Sequence, residues 1–447
     1  MKFVIIGGDA AGMSAASRAK RNKPDLEVLV LEQTQDVSYS ACGMPYNIAD
    51  PDRSIDELVV RQARVFREKQ GIDLRTGHRA EVINRAARTV SAQDDQGKAI
   101  TFDYDKLLIA TGASPIMPDL PGFNRPEVLA LKNLKDGRRI KERLHAKRVK
   151  KTVIIGMGYI ALEMAEALRA RGIEVHMVKP RPILLPWMNR ELASVVQEEL
   201  EANQAHLHLG QEVTGIEQAG DGLKVFCLDM TLECQMVLVA IGVKPNSELA
   251  EDARLELGLK KAIAVDKALH TSDQDVFSAG DCADTYHVVT GQKTYIPLAL
   301  RANRAGWAVA DNVTGQRVEL PGIAGTAVFK VFDLEVARTG LNPEEAKAAG
   351  FEPVEVVITG RTRAHAHPGA LDMKVQMVGD KKSGRLLGAQ IVAKEGAAHR
   401  INAPAVALHS GLTVEEFSQT DLAYAPPFGP VWDPTLTAAN QLLKRLL

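Results

Sequence analysis

Two glycine-bearing turns are placed to hold a phosphate. The first, Gly7-Gly8-Asp9-Ala10-Ala11-Gly12, follows the apolar run Phe3-Val4-Ile5-Ile6 and precedes an alanine-rich segment from Met13 to Arg21. The second, Gly156-Met157-Gly158-Tyr159-Ile160-Ala161, follows Thr152 to Ile155 and precedes Leu162 to Arg171. A tight glycine turn between a buried strand and a helix presents backbone N–H groups and the helix N-terminus to a pyrophosphate. A carboxylate about 20 residues on then holds the ribose hydroxyls, and Glu32 has that place beyond Gly12. Asp9 stands where the second glycine is usual, so its side chain is expected to point away from phosphate. In the second unit the ribose position is Lys179, with Arg181 two residues on. Lysine cannot accept from a 2′-hydroxyl but can meet a 2′-phosphate. NADPH use, or tolerance of both nicotinamide cofactors, is one reading of this pair; a solvated basic turn is the other.

Each turn belongs to a strand–turn–helix unit that leads into another apolar run, Leu26 to Leu31 in one case and Glu174 to Val178 in the other. Two such βαβ units predict an α/β chain with two Rossmann-like dinucleotide-binding domains. Tyr104 to Gly112 and Val237 to Gly242 are apolar strands ending in small-residue turns. Val276-Phe277-Ser278-Ala279-Gly280-Asp281 delivers a carboxylate to a strand's C-terminal end, where open α/β sheets bind ligands. After Pro321 the texture changes. Strands are expected at Ala324 to Val331, Val354 to Thr359, Met373 to Val378 and Leu386 to Val392, with a hairpin turn at Gly379 to Gly384. Helices are expected at roughly 396–410 and 434–446, giving an α+β domain suited to burying a dimer interface.

The 447 residues suit about three domains. The 55 basic residues balance 56 acidic ones, which disfavours nucleic acid as a partner. No apolar run approaches the roughly 20 residues of a membrane span, and Met1 to Ile6 runs straight into a strand, so no secretory leader is expected. Four cysteines do not make a disulfide framework. The expectation is a cytoplasmic protein. No metal ligands are singled out.

With these motifs in this order, the chain resembles the two-dinucleotide-binding-domain flavoprotein reductases, the pyridine nucleotide-disulfide oxidoreductases, over essentially its whole length. The resemblance implies an FAD domain at 1–112 and 246–320, an NAD(P)H domain at 113–245, and a dimerisation domain at 321–447. It implies that the first turn and Asp281 hold FAD and the second holds NAD(P)H. Thr111-Gly112 and Ala240-Ile241-Gly242 become crossings between the two domains. Tyr159, Ile160 and Glu163, in Gly-Tyr-Ile-Ala-Leu-Glu, match positions where the nicotinamide docks beside the flavin; a packed aromatic is the plainer reading of Tyr159.

Cys42, in Ser38-Tyr39-Ser40-Ala41-Cys42-Gly43-Met44-Pro45-Tyr46, matches the redox cysteine. Glutathione-reductase-like members carry a second cysteine five positions on; here that residue is Asn47. Cys42 is then expected to form a mixed disulfide, persulfide or sulfenic acid with an external group, aided by a helix N-terminus near Gly43. A buried inert thiol is the plainer alternative. Cys227, Cys234 and Cys282 read as packing residues. The single-cysteine branch holds coenzyme A-disulfide reductases, NAD(P)H persulfide or polysulfide reductases, and NADH oxidases and peroxidases. Ala10 stands where the peroxidase and oxidase members usually carry histidine, which removes an acid–base group.

Asp421 to Phe428 resembles the coenzyme A-disulfide reductases, whose tyrosine here crosses the dimer interface. Tyr424 is accordingly a candidate to orient or protonate the leaving thiol, or an aromatic packed in the interface. Ser14, Arg18 and Arg21 share one helix face and, with Ser38, match positions that contact coenzyme A; a solvated helix end is the alternative. Ala41 replaces a common polar residue, and His367 stands where a tyrosine is expected. These departures leave the acceptor open among coenzyme A disulfide, coenzyme A persulfide and polysulfide. An oxidase or peroxidase cycling a sulfenic acid, and a redox-sensing flavoprotein without turnover, remain as rivals. With no rhodanese-like stretch after Leu447, any persulfide is expected to arrive from another protein or a small thiol.

Overall fold

The computed structural model describes residues 1–146 and 149–446. Two five-stranded parallel sheets carry the two glycine turns. The first runs Val276–Ser278, Lys106–Ile109, Lys2–Ile6, Glu27–Glu32, Asp73–Thr76 in spatial order. The second runs Ala205–Leu209, Glu174–Lys179, Lys151–Ile155, Met236–Val239, Val128–Leu129. Their central strands are apolar on both faces because helices or further strands cover each side, as parallel sheets require.

Chain order and space differ in an instructive way. The strand Val276–Ser278 returns to the first sheet after the whole second sheet has been built, pairing with Lys106–Ile109. The chain leaves and re-enters along a two-stranded ribbon, Ala113–Pro115 against Val243–Pro245. Asn246 clamps that ribbon: its N–H donates to the Gly112 carbonyl at 3.0 Å and its side-chain amide to the Thr111 carbonyl at 2.8 Å.

The helix Ala10–Asn22 packs against Ala299–Val313 so closely that a Cβ on Gly306 would lie 2.2 Å from the Ala11 carbonyl oxygen. Arg18 reinforces the crossing with a bidentate bond to Asp311 at 2.8 and 3.0 Å.

The C-terminal sheet is antiparallel, ordered Ala327–Val331, Leu334–Gly340, Leu386–Ala393, Asp372–Asp380, Pro353–Arg361. The second of these strands lies outside the sequence expectation. Its hairpin turns on Phe332, at φ 51°, and Asp333, so the Asn-Gly type of signal that marks a two-residue hairpin is missing. The expected strand at Ala324 begins only at Ala327, and a short capped helix, Val414–Ser418, was not anticipated. The expected helix at 396–410 is divided into Ala397–Arg400 and Asn402–Ser410.

Candidate active site

The C-terminal ends of both parallel sheets open into one cavity of about 1710 Å³. The first glycine turn reaches it through Gly7, Gly8, Ala10 and Ala11, and the second through Gly156, Gly158, Tyr159 and Ile160. Glu32, Thr111, Gly112, Glu163, Lys179, Arg181, Gly242, Asp281 and Cys42 line the same space. Gly12 lies behind the wall, and Ser14, Arg18, Arg21, Ser38 and Tyr424 are not among the lining residues.

The two turns share a backbone design. Gly7 (φ 111°) and Gly156 (φ 110°) each pass a neighbouring strand so closely that a Cβ would sit 2.2 Å from the Ala110 oxygen or 2.3 Å from the Ala240 oxygen. Gly158 differs, because a Cβ there would meet nothing within 4 Å. The chain itself does not need that glycine, and leaving it bare lets a ligand's phosphate approach the backbone. The Glu32 carboxylate accepts from the Gly8 N–H at 2.7 Å and from the Thr34 N–H and hydroxyl at 2.8 Å each. It is thereby fixed at the strand end, beside the turn. Turn and cavity together suit a dinucleotide at each sheet, and at the first the Glu32 carboxylate stands beside the turn as well.

Asp9, which matches Gly158 in position, faces the cavity and accepts a hydrogen bond from the Tyr39 backbone. Burial pushes its carboxyl up to about 6 from the ordinary 3.8, with Glu32 adding to the shift and Lys132 opposing it. The folded chain therefore holds this proton more tightly than the unfolded one, and the associated stability is lost as pH rises through 6. Asp9→Asn should raise thermal stability by an amount that is largest above pH 6, about 3 kcal/mol, and shrinks as pH falls toward 4. Unfolding scans across that range check it; an unchanged or lowered midpoint at pH 8 contradicts it.

Cys42 occupies the 3-10 turn Ala41–Gly43, which runs into the helix Met44–Ala49. Its sulfur is exposed to the cavity, whereas Cys227, Cys234 and Cys282 are buried. The expected lowering of the thiol by the helix does not dominate. Crowding at the cavity wall pushes the thiol up, Glu163 adds to this, and Lys132 acts the other way. The following helix has only six residues, too little to outweigh desolvation and nearby carboxylates. Asn47 is wholly buried, donates to the Ser54 carbonyl at 2.8 Å and accepts from Lys141, so it is a structural residue.

Two partners escaped the sequence reading. Tyr46 donates its hydroxyl to Glu163 at 2.9 Å, tying the cysteine helix to Tyr159–Ala170. Lys132 pairs with Asp281 at 2.8 Å. Tyr46 was visible in the cysteine segment, but its link to Glu163 spans 117 positions; Lys132 sits in a loop with no motif around it. Tyr159 stacks on Phe329 at 4.6 Å and meets the edge of Trp187 at 5.8 Å, so it is a packed aromatic that also lines the cavity. The Lys179 ammonium donates to the Leu184 carbonyl at 3.1 Å.

The positions matched to coenzyme A contacts have other partners within this chain. The Ser14 hydroxyl donates to Asn303 at 2.6 Å, and Arg18 is held by Asp311 and lies over Trp307. Arg21 is exposed; Ser38 adopts φ 49°. Tyr424 is exposed beside Phe428, Val431 and Trp432, of which Phe428 is 78% and Trp432 63% accessible. His367 contacts the Pro368 carbonyl at 3.0 Å.

A parallel-sheet pair with glycine turns, a shared cavity and a thiol at its wall define a two-dinucleotide disulfide reductase. The chain belongs to the pyridine nucleotide-disulphide oxidoreductases: that family's profile matches residues 1–306, and its dimerisation domain matches residues 326–434. FAD and NAD(P)H are its cofactors. It is 38% identical over 442 residues to an NAD(P)H sulfur oxidoreductase (CoA-dependent) of Pyrococcus furiosus, covering 99% of both chains. An NADH oxidase of Methanocaldococcus jannaschii is 31% identical over 451 residues, covering 100% of this chain and 99% of that one. Among solved structures, an NAD-dependent persulfide reductase from A. fulgidus superposes with a TM-score of 0.96 at 35% identity, over 100% of this chain and 83% of the other. No helix among the described residues is long and apolar enough to cross a membrane.

Proposed function

We propose that this chain is a cytoplasmic homodimeric enzyme that uses NAD(P)H to reduce coenzyme A disulfide, coenzyme A persulfide or polysulfide through Cys42. The observation carrying this reading is one cavity-facing thiol between two dinucleotide turns, with no cysteine beside it. The likeness to a CoA-dependent sulfur oxidoreductase and a persulfide reductase supports the acceptor class.

Residues 1–112 with 246–320 form the FAD domain, 113–245 the NAD(P)H domain and 321–447 the dimerisation domain. The chemistry supplied by bound FAD is conversion of a hydride from NAD(P)H into the two electrons that a disulfide needs. Gly7, Gly8, Ala10 and Ala11 would cradle its phosphates, with Gly12 behind them holding the turn close to the helix; Glu32 would take its ribose, and Thr111, Gly112 and Asp281 would border it. Gly156, Gly158, Tyr159, Ile160, Glu163, Lys179, Arg181 and Gly242 would receive the nicotinamide cofactor. The Cys42 thiolate attacks one sulfur of R–S–S–R; a new S–S bond forms, the old one breaks, and RS⁻ leaves and takes a proton. Two electrons then cleave the mixed disulfide, releasing the second thiol and restoring Cys42. Tyr424 of one protomer orients or protonates the leaving thiol at the other's Cys42. Ser14, Arg18, Arg21 and Ser38 contact the coenzyme A moiety; for Arg18 this means using the guanidinium face left by its bond to Asp311.

The NADH oxidase relative keeps oxygen reduction as the second reading. Steady-state NAD(P)H oxidation with each acceptor separates the two. Values of kcat/KM for coenzyme A disulfide or persulfide well above those for oxygen and peroxide are expected; the reverse order favours the oxidase.

A further inference from the structure

We propose that the edge of the second parallel sheet is a binding site for one divalent transition-metal ion, held by His176, His206 and Glu174 and oriented by His208. The site lies on the strands Glu174–Lys179 and Ala205–Leu209, apart from the residues that line the cavity.

The placement follows from parallel register. His176 faces His206 directly across the strand pair, and His208 is opposite Val178. Alternate residues share a face, so Glu174, His176, His206 and His208 all project from one side. One ligand atom each from Glu174, His176 and His206 lies within 4.8 Å of the others. Small side-chain rotations bring donors at this spacing onto one ion at bond lengths of about 2.0–2.1 Å, with the backbone left in place.

The hydrogen bonds fit a ligand set. His176 Nε2 lies 2.7 Å from Glu174 Oε1, while its Nδ1 lies 2.8 Å from His208 Nε2. A metal-ligating histidine typically gives its other N–H to an acceptor, which fixes the tautomer. With the proton on Nδ1 and donated to His208, the Nε2 lone pair of His176 turns to the side where Glu174 and His206 converge. The competitor is Lys151, whose ammonium sits 2.9 Å from Glu174 Oε1. It is partly exposed, and surface ion pairs of this kind are weak and readily exchanged.

The donor set is imidazole nitrogen and carboxylate oxygen without thiolate. That chemistry selects Zn²⁺, Ni²⁺, Co²⁺ or Cu²⁺ over the hard cations Mg²⁺ and Ca²⁺. Two strands are bridged, so the ion would clip the edge strand Ala205–Leu209 to the strand that ends at Lys179.

The test is calorimetric titration of the FAD-loaded protein with Zn²⁺, comparing wild type, His206→Gln, His176→Gln and His208→Gln. His206 is exposed, so its replacement leaves folding intact, and retained FAD verifies this. One ion per chain is expected in wild type. Loss of a ligand in His206→Gln or His176→Gln should weaken binding by about 100-fold, and loss of the orienting His208 by about 10-fold. Equal affinity in wild type and His206→Gln would place the ion elsewhere, such as at Cys42, and overturn the assignment. Wild-type binding no tighter than about 1 mM would overturn it as well.

Discussion

Cys42→Ser lowers turnover of coenzyme A disulfide or persulfide by about a thousandfold or more, while the protein keeps its FAD and still accepts a hydride from NAD(P)H. The size follows from the nucleophile role proposed for the thiol, since loss of a covalent catalyst removes the step rather than weakening it. No other thiol can substitute. Cys227, Cys234 and Cys282 are buried, and Cys282 is packed against the Ile109 and Ala279 carbonyls at 3.4 Å each. Serine is nearly isosteric, and Cys42 lies exposed in a 3-10 turn, its sulfur without a hydrogen bond among the described residues, so the fold tolerates the change. Stopped-flow reduction by NAD(P)H and steady-state acceptor turnover, run on one preparation, separate the two half-reactions. Wild-type disulfide turnover in this variant contradicts the Cys42 mechanism.

Gly12→Ala yields protein that retains little FAD and loses about 3 kcal/mol of stability or more. The added Cβ would sit 1.9 Å from the Gly7 carbonyl oxygen and 3.2 Å from Ile5 Cγ2. The nearest obstacle is the Gly7 backbone, with the fully buried Ile5 side chain next to it, and neither can yield, which places this at or above the top of the usual range for overpacking. Relief requires the helix Ala10–Asn22 to move off the strand, and Gly306 on Ala299–Val313 blocks that motion from the far side. The turn proposed to hold the FAD phosphates then opens. Flavin content of the purified variant and its thermal midpoint read both effects; full flavin at an unchanged midpoint contradicts the packing account.

The features legible in the sequence are those where backbone geometry forces a residue type. Gly7, Gly12 and Gly156 are dictated by carbonyl oxygens too close for a Cβ, so the turns and the strands flanking them could be located from one chain. Apolar runs such as Val4-Ile5-Ile6 mark parallel strands because both faces are covered. What escaped depends on neighbours distant in sequence. The strand Leu334–Gly340 alternates with polar residues and follows an atypical turn. Tyr46 meets Glu163, and Lys132 meets Asp281, only because two sheets share a cavity. The raised Cys42 thiol shows the same limit: a helix start can be read locally, but the burial and carboxylates that outweigh it come from other segments. Arg18 shares a helix face with Ser14, which the spacing shows, but the bond to Asp311 spans 293 positions and the spacing cannot show it.

The most direct test of the central claim is the intact mass of wild-type protein and Cys42→Ser after incubation with coenzyme A disulfide in the absence of reductant. The account predicts a single adduct with the mass of coenzyme A on wild type, released by dithiothreitol, mapped to the peptide bearing Cys42 and absent from Cys42→Ser. An equal adduct on Cys42→Ser, or a bare wild-type chain that still reduces coenzyme A disulfide at full rate, contradicts it.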